Sequence, residues 1–121
     1  MIELRSGSST LIIDEQRGGR LASLVVRRRE RLVTPDGSDP HPLLWGSYPM
    51  VPYVGRVRDG RFRHDGVEHQ LPLRLPPHAS HGTVLDAVWT VESTTRSTAR
   101  LTRGLGPAWP WPARVTQEIS L

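Results

Sequence analysis

Glycine and proline interrupt this sequence every few residues, and their spacing limits the possible fold more than any other feature. The chain has 11 glycines and 11 prolines. Between them, no stretch repeats apolar residues at helical spacing for three turns, which excludes long helices. The remaining segments are short and rich in β-branched residues, as strands are. The spacing therefore predicts an all-β protein.

The length is that of one domain. At 121 residues, the chain is shorter than two domains usually are. It would bury roughly two-thirds of its unfolded surface, enough for a core without cross-links. We therefore expect residues 1–121 to form a single domain. The sequence contains no cysteine, which excludes disulfides, thiolate metal sites and cysteine nucleophiles.

All the basic side chains are arginines. Sixteen of them oppose 12 acidic residues, giving a net charge of +4. The absence of lysine fits a GC-rich coding sequence better than it fits selection for nucleic-acid binding. The longest apolar runs, 11–13 and 24–26, fall far short of the ~20 residues that cross a bilayer, and no signal-peptide pattern is present. We expect a cytoplasmic protein with no nucleic-acid or membrane partner.

Seven segments have strand character. They are Ser9–Asp14, Arg20–Val26, Arg61–His64, Val67–Leu71, Val84–Val91, Thr98–Arg103 and Ala113–Leu121. Gly18-Gly19 and Asp65-Gly66 favour tight hairpins between their neighbours. Because the arginine-rich run 27–31 also joins two strands, we interpret it as a charged hairpin tip.

The last predicted strand, Ala113–Leu121, carries its apolar residues on one face and is followed by no turn. Such a strand leaves either an unpaired sheet edge or a missing neighbour. The sequence from Pro35 to Pro52 is loop-like, and long proline-rich loops in compact domains are commonly functional. Tryptophans in the Trp109-Pro-Trp-Pro segment are more typical of core packing than of partner docking.

The densest group of chemically active residues is Pro76-Pro-His-Ala-Ser-His-Gly82. Histidine exchanges protons near neutral pH, so His78 and His81 are candidates for acid–base work, or for hydrogen bonds to loop backbone. Their spacing also occurs in metal pairs, but no nearby carboxylate completes a site. Upstream, Arg56 follows a glycine and an aromatic segment, and its planar fork of donors suits sugar hydroxyls or carboxylates.

Several segments in order resemble the N-terminal half of the aldose 1-epimerase (galactose mutarotase) family. They are Gly46-Ser-Tyr-Pro-Met-Val-Pro-Tyr-Val-Gly-Arg-Val, Asp59-Gly-Arg-Phe, Asp65-Gly, Gln70-Leu-Pro-Leu, Pro77-His-Ala-Ser-His-Gly, Trp89 and Trp109-Pro-Trp-Pro. The resemblance implies an antiparallel β-sandwich that interconverts the α and β anomers of free sugars, with no cofactor and no metal.

The resemblance also assigns residues. His81 matches the histidine of the family's His-Gly motif at the ring-oxygen side of the sugar and is the catalytic candidate, whereas Arg56 matches the arginine that binds sugar hydroxyls. His78 begins the same motif and ranks lower as a binding residue. Gly55 and Ser80 depart from the family pattern, which leaves the sugar open. The family's second histidine, an aspartate and the glutamate base lie beyond this sequence, so the chain resembles a truncated mutarotase.

Three hypotheses follow. The chain is part of a mutarotase that needs a second half, a carbohydrate-binding module without turnover, or an interaction protein that recruits a strand to its sheet edge. The expected partners are a monosaccharide and either a second copy of the chain or a complementary second-half chain.

Overall fold

The computed structural model describes residues 1–35, 37 and 40–121. These residues form eleven strands and two single 3-10 turns, which are connected by turns and loops. The strands are β1 Ile2–Ser6, β2 Ser9–Asp14, β3 Arg20–Val26, β4 Arg29–Glu30, β5 Arg56–Val57, β6 Arg61–His64, β7 Val67–Gln70, β8 Ala79–Ser80, β9 Thr90–Thr94, β10 Thr98–Gly104 and β11 Arg114–Ser120; the 3-10 turns are Arg58–Gly60 and Gly106–Ala108. The predicted all-β class is confirmed.

Two antiparallel sheets form the body of the sandwich. One has the order β1-β2-β3-β4 and the other β11-β10-β9, while β5-β8 and β6-β7 form two small ladders. Leu4 and Ile13 from the first sheet share one buried cluster with Ala99 and Leu101 from the second. Burial of these apolar faces against each other is the main term that stabilises such a sandwich. In the part of the chain described, no helix is long and apolar enough to cross a membrane.

The hairpins lie where the turn residues predicted them. Asp65-Gly66 joins β6 to β7, and the arginine-rich run forms the tip between β3 and β4, with positive φ angles at Arg27 and Arg28. Glu30 secures this tip. Although burial opposes its ionisation, hydrogen bonds from the Ser23 hydroxyl and three backbone N–H groups lower the pKa of Glu30 to about 2. The Glu30 carboxylate at the base of the tip therefore holds the turn in place through these hydrogen bonds.

Two strand predictions differ from the structure. The prediction of strand from Val84 to Val91 is wrong over residues 84–89. This segment is a loop that buries residues 84, 85, 87 and 89 under the turn that joins β2 to β3. Gly18 N–H donates to the Ala87 carbonyl at 2.9 Å, and Trp89 N–H to the Glu15 carbonyl at 2.8 Å. β1 was not predicted from the sequence; it pairs with β2 along its whole length. The predicted loop 35–52 is confirmed except that Asp36, Ser38 and Asp39 lie outside the described residues.

β11 forms one edge of the three-stranded sheet. Val115, Gln117 and Ile119 are half-buried and the residues between them are exposed, as the alternation predicted. Leu105 N–H donates to the Ala113 carbonyl and Leu121 N–H to the Ser97 carbonyl. In an antiparallel ladder every second residue bonds to the neighbouring strand, so the backbone N–H and C=O groups of Thr116 and Glu118 point outward.

We expect this edge to pair with β11 of a second copy, because outward backbone groups on a seven-residue strand template strand addition. Light scattering coupled to size exclusion should give about twice the 13.6 kDa mass of one chain. Thr116→Pro should restore the monomer, since proline removes an outward N–H without breaking the ladder to β10. Thr116→Ala, which keeps that N–H, should remain dimeric. A monodisperse wild-type monomer with a cooperative melt would contradict this prediction.

Candidate functional site

A short ladder brings the two predicted site segments together. β5 pairs with β8 in antiparallel register, with Arg56 opposite Ser80 and Val57 opposite Ala79. Ala79 and Ser80 are buried, whereas Arg56 is exposed. Residues directly opposite in such a pair share one face, so the Arg56 side chain starts beside Ser80.

This face opens onto a depression of about 450 Å³. Its lining combines cationic, imidazole and apolar groups. The described residues that line it are His41, Leu43, Arg56, Arg74, Leu75, Pro76, Pro77, His78 and Ser80. The size suits a small polar ligand. Arg56 and His78 therefore share one concave surface, while His81 lies at the end of the ladder and is missing from the described lining.

His81 is fixed by two hydrogen bonds to one neighbour. Its backbone N–H donates to the Gly55 carbonyl at 2.9 Å, and its Nδ1 accepts the Gly55 N–H at 3.3 Å. An imidazole whose Nδ1 accepts carries its proton on Nε2 when neutral. The half-buried ring is thus held at Gly55 by its Nδ1, and its Nε2–H is the donor it offers.

The backbone around His81 is tightly constrained. His81 itself has a φ of 55°, and Gly82 forms an isolated parallel bridge with Val51. Thr83 N–H donates to the Val51 carbonyl at 2.8 Å. These contacts join the histidine loop to Val51 at one end of the β5–β8 ladder, so the position of His81 depends on the fit between the two segments.

His78 has a double role. Its Nδ1 accepts the Asp59 N–H at 3.1 Å and lies 3.6 Å from the Asp59 carboxylate, which ties the loop to the 3-10 turn before β6. The expected support of the loop backbone is therefore present, and the same ring also lines the depression. To accept this N–H, the Nδ1 of His78 must carry no proton.

Two further residues that line the depression, His41 and Arg74, belong to no recognisable sequence motif. His41 comes from the proline-rich loop, where its Nδ1 accepts the Leu43 N–H at 3.3 Å. Arg74 precedes the Pro76-Pro77 segment and forms an ion pair with Asp86. The loop-like character of residues 35–52 was the only sequence signal that pointed toward His41.

Comparison with known proteins gives this site a family. The sequence model of the aldose 1-epimerase family matches residues 1–121. The chain belongs to the aldose 1-epimerase family. The uncharacterized Escherichia coli K12 protein YihR is 27% identical over 92 residues, which cover 73% of this chain and 29% of YihR.

Solved structures agree in fold with this family member. A putative aldose 1-epimerase from Escherichia coli K12 has a TM-score of 0.80 at 24% identity, over 98% of this chain and 40% of its own. A galactose mutarotase-like protein from Lactobacillus casei has a TM-score of 0.81 at 18% identity, over 100% and 40%. A GalM/aldose epimerase homologue from C. elegans has a TM-score of 0.80 at 15% identity, over 99% and 41%.

The chain therefore has the antiparallel β-sandwich fold of galactose mutarotase-like proteins. It spans between 29% and 41% of the length of these relatives and corresponds to their N-terminal part. In this aldose 1-epimerase family member, the described lining of the depression contains two arginines and two histidines but no carboxylate. A surface of hydrogen-bond donors fits a ligand rich in hydroxyl oxygens.

Proposed function

We propose that this chain binds free aldose sugars and supplies the N-terminal part of a mutarotase site. The observation that carries the proposal is the pair of hydrogen bonds between Gly55 and His81. They hold the His81 loop against Gly55, the residue that precedes Arg56, in a chain of the aldose 1-epimerase family. A single pyranose needs one donor for its hydroxyl groups and, beside it, a second donor for its ring oxygen.

Each residue has a distinct role in the proposal. The guanidinium of Arg56 donates a planar pair of N–H groups to neighbouring sugar hydroxyls. His81 donates its Nε2–H toward the ring oxygen, because its Nδ1 is occupied by Gly55. His78 forms part of the wall and contacts the sugar from the opposite side of the loop.

The proposed reaction is general acid–base ring opening. A carboxylate takes the proton from the anomeric hydroxyl while an imidazolium protonates the ring oxygen. The bond between C1 and the ring oxygen breaks, C1 rotates, and reclosure reverses both proton transfers to give the other anomer. The resemblance assigns the base and the second histidine to a part of the family fold beyond residue 121. A lone chain is therefore expected to bind sugar with little turnover unless a complementary chain supplies those groups.

A carbohydrate-binding function without catalysis is the second candidate. It is favoured by the depression itself, whose described lining offers donors and cations but no carboxylate that could act as a base. Both candidates predict sugar binding, and they differ in whether addition of the missing half restores anomer interconversion.

Titration with glucose and galactose, followed by NMR of the backbone amides, should show saturable binding. Arg56→Ala and His81→Ala should each weaken binding about tenfold to a hundredfold, the loss of one hydrogen bond involving a charged or strongly oriented donor. Arg63→Ala, which removes an exposed arginine of β6, should leave the affinity unchanged. Polarimetry of fresh α-glucose should show little acceleration by the isolated chain.

Two results would contradict the proposal. Absence of binding by the folded wild-type chain would remove the sugar-binding role. Rapid mutarotation by the isolated chain, abolished by His81→Ala, would show that a base within residues 1–121 had been missed.

A further inference from the structure

Arg20 is a buried arginine whose side-chain hydrogen bonds, among the residues that the structure describes, all go to main-chain carbonyl groups. It is 1% exposed. Its Nε donates to the Arg17 carbonyl at 2.8 Å, its Nη1 to the Pro42 and Trp45 carbonyls at 2.9 and 3.1 Å, and its Nη2 to the Leu85 carbonyl at 3.1 Å. Since charged side chains are almost never fully buried without a partner, this arrangement calls for a specific explanation.

Aromatic rings complete the environment of the guanidinium. Its central carbon lies 4.1 Å from the ring centroid of Trp45 and 5.2 Å from that of Tyr48. In the described part of the chain, no carboxylate lies within ion-pair distance of Arg20. The cation is therefore held by carbonyl dipoles and ring faces that converge from three separate segments.

One of those segments is a wall of the depression. His41 and Leu43 line one side, and they lie in the same loop as Pro42 and Trp45, whose carbonyls Arg20 binds. The wall is also anchored at its end, where Ser47 and Leu21 exchange backbone hydrogen bonds at 2.8 and 2.9 Å. Between that anchor and the Pro40 end, Arg20 joins the loop to the core through those two carbonyls.

The Leu85 carbonyl connects the same guanidinium to the chain just beyond the opposite wall. Leu85 comes two residues after the segment from Pro76 to Thr83, which contributes His78 and Ser80 to the depression. One side chain thus bonds to the loop that carries His41 and to the residue that follows closely on the segment that carries His78.

We propose that Arg20 is a positioning residue that sets the separation between the two walls of the sugar site. The inference rests on the proposed function, which it deepens by adding a residue that touches no sugar. A planar guanidinium with donors in several fixed directions satisfies four carbonyls and two ring faces at once. A lysine ammonium keeps the charge but has at most three donors and no planar face.

Sugar affinity and local hydrogen exchange test the proposal together. Arg20→Lys and Arg20→Met should each raise the Kd for glucose or galactose at least tenfold. The Leu44 amide, which donates to the His41 carbonyl at 3.0 Å, should exchange at least tenfold faster. The His81 amide, bonded to Gly55, should keep its protection. Failure of lysine to rescue affinity would show that the fork geometry matters rather than the charge.

A matched core variant separates positioning from general destabilisation. Ile13→Val, at a fully buried core position, should lower global stability and leave both the Kd and the Leu44 exchange rate unchanged. If Ile13→Val weakens sugar binding as much as Arg20→Lys does, the positioning role is overturned.

The outcomes distinguish the positioning role of Arg20 from the proposed sugar-binding function. Wild-type binding with an unchanged Kd in folded Arg20→Lys overturns the positioning role and leaves the proposed function intact. Absence of wild-type binding refutes the proposed function, and the wall-setting role then stands or falls on the Leu44 exchange rate. If both Arg20 variants unfold, Tyr48→Leu removes one stacked ring and should raise the Kd about threefold; an unchanged Kd there overturns the role.

Discussion

Gly82→Ala should lower the free energy of unfolding by roughly 2–5 kcal/mol, combining left-handed backbone strain with overpacking. The φ of Gly82 is 80°, and an added Cβ would lie 2.0 Å from the Val51 oxygen and 2.4 Å from its carbonyl carbon. Both contacts are with backbone, which cannot move without breaking the junction beside His81. Urea denaturation followed by circular dichroism measures the loss.

The matched control is Gly66→Ala. Gly66 has nearly the same φ, 78°, but no heavy atom lies within 4 Å of the position of its Cβ. It should therefore show the conformational strain alone, about 1 kcal/mol. Equal losses in the two variants would contradict the close approach of Gly82 to Val51. Any folded fraction of Gly82→Ala should also bind sugar more weakly, because its His81 loop has been displaced.

The strands bounded by strong turn signals could be predicted from the sequence. β2, β3 and β6 have the predicted bounds, since Gly-Gly, Asp-Gly and the arginine tip limit them locally. The strand prediction over residues 84–89 was wrong because a short apolar run without periodicity is as consistent with a buried loop as with a core strand. Its loop conformation depends on contacts with Glu15 and Gly18, residues far away in sequence.

His78, His81 and Arg56 stand out in the sequence by their chemistry, but only the family resemblance assigns them to one site. Gly55 and His81 are 26 residues apart, and nothing in their spacing indicates that they share two hydrogen bonds. The burial of Arg20 was not predicted, because arginine usually lies at the surface. Its burial arises from carbonyl groups of residues 17, 42, 45 and 85, which only the folded chain brings together. Sequence patterns thus found local turns and motifs, and missed non-local polar contacts.

Trp89→Ala should cost about 3–5 kcal/mol of stability, the usual loss when a buried tryptophan is truncated. Trp89 is 2% exposed and belongs to the core cluster that both sheets share. Its ring packs directly on Gly19, where an added Cβ would lie 2.9 Å from Cδ2. A small domain is stable by only about 5–15 kcal/mol, so this variant should be partly unfolded at room temperature and should melt at a much lower temperature.

Trp89→Phe tests whether ring volume or the indole N–H matters. Among the described residues, the buried Nε1 of Trp89 has no hydrogen-bond partner. Phenylalanine therefore loses apolar area but also removes an unsatisfied donor, and such a donor costs about 1–3 kcal/mol when buried. The two effects oppose each other, so Trp89→Phe should be within about 1 kcal/mol of wild type in urea denaturation. A loss equal to that of Trp89→Ala would show that the indole N–H has a partner and that the ring does more than fill the space between the sheets.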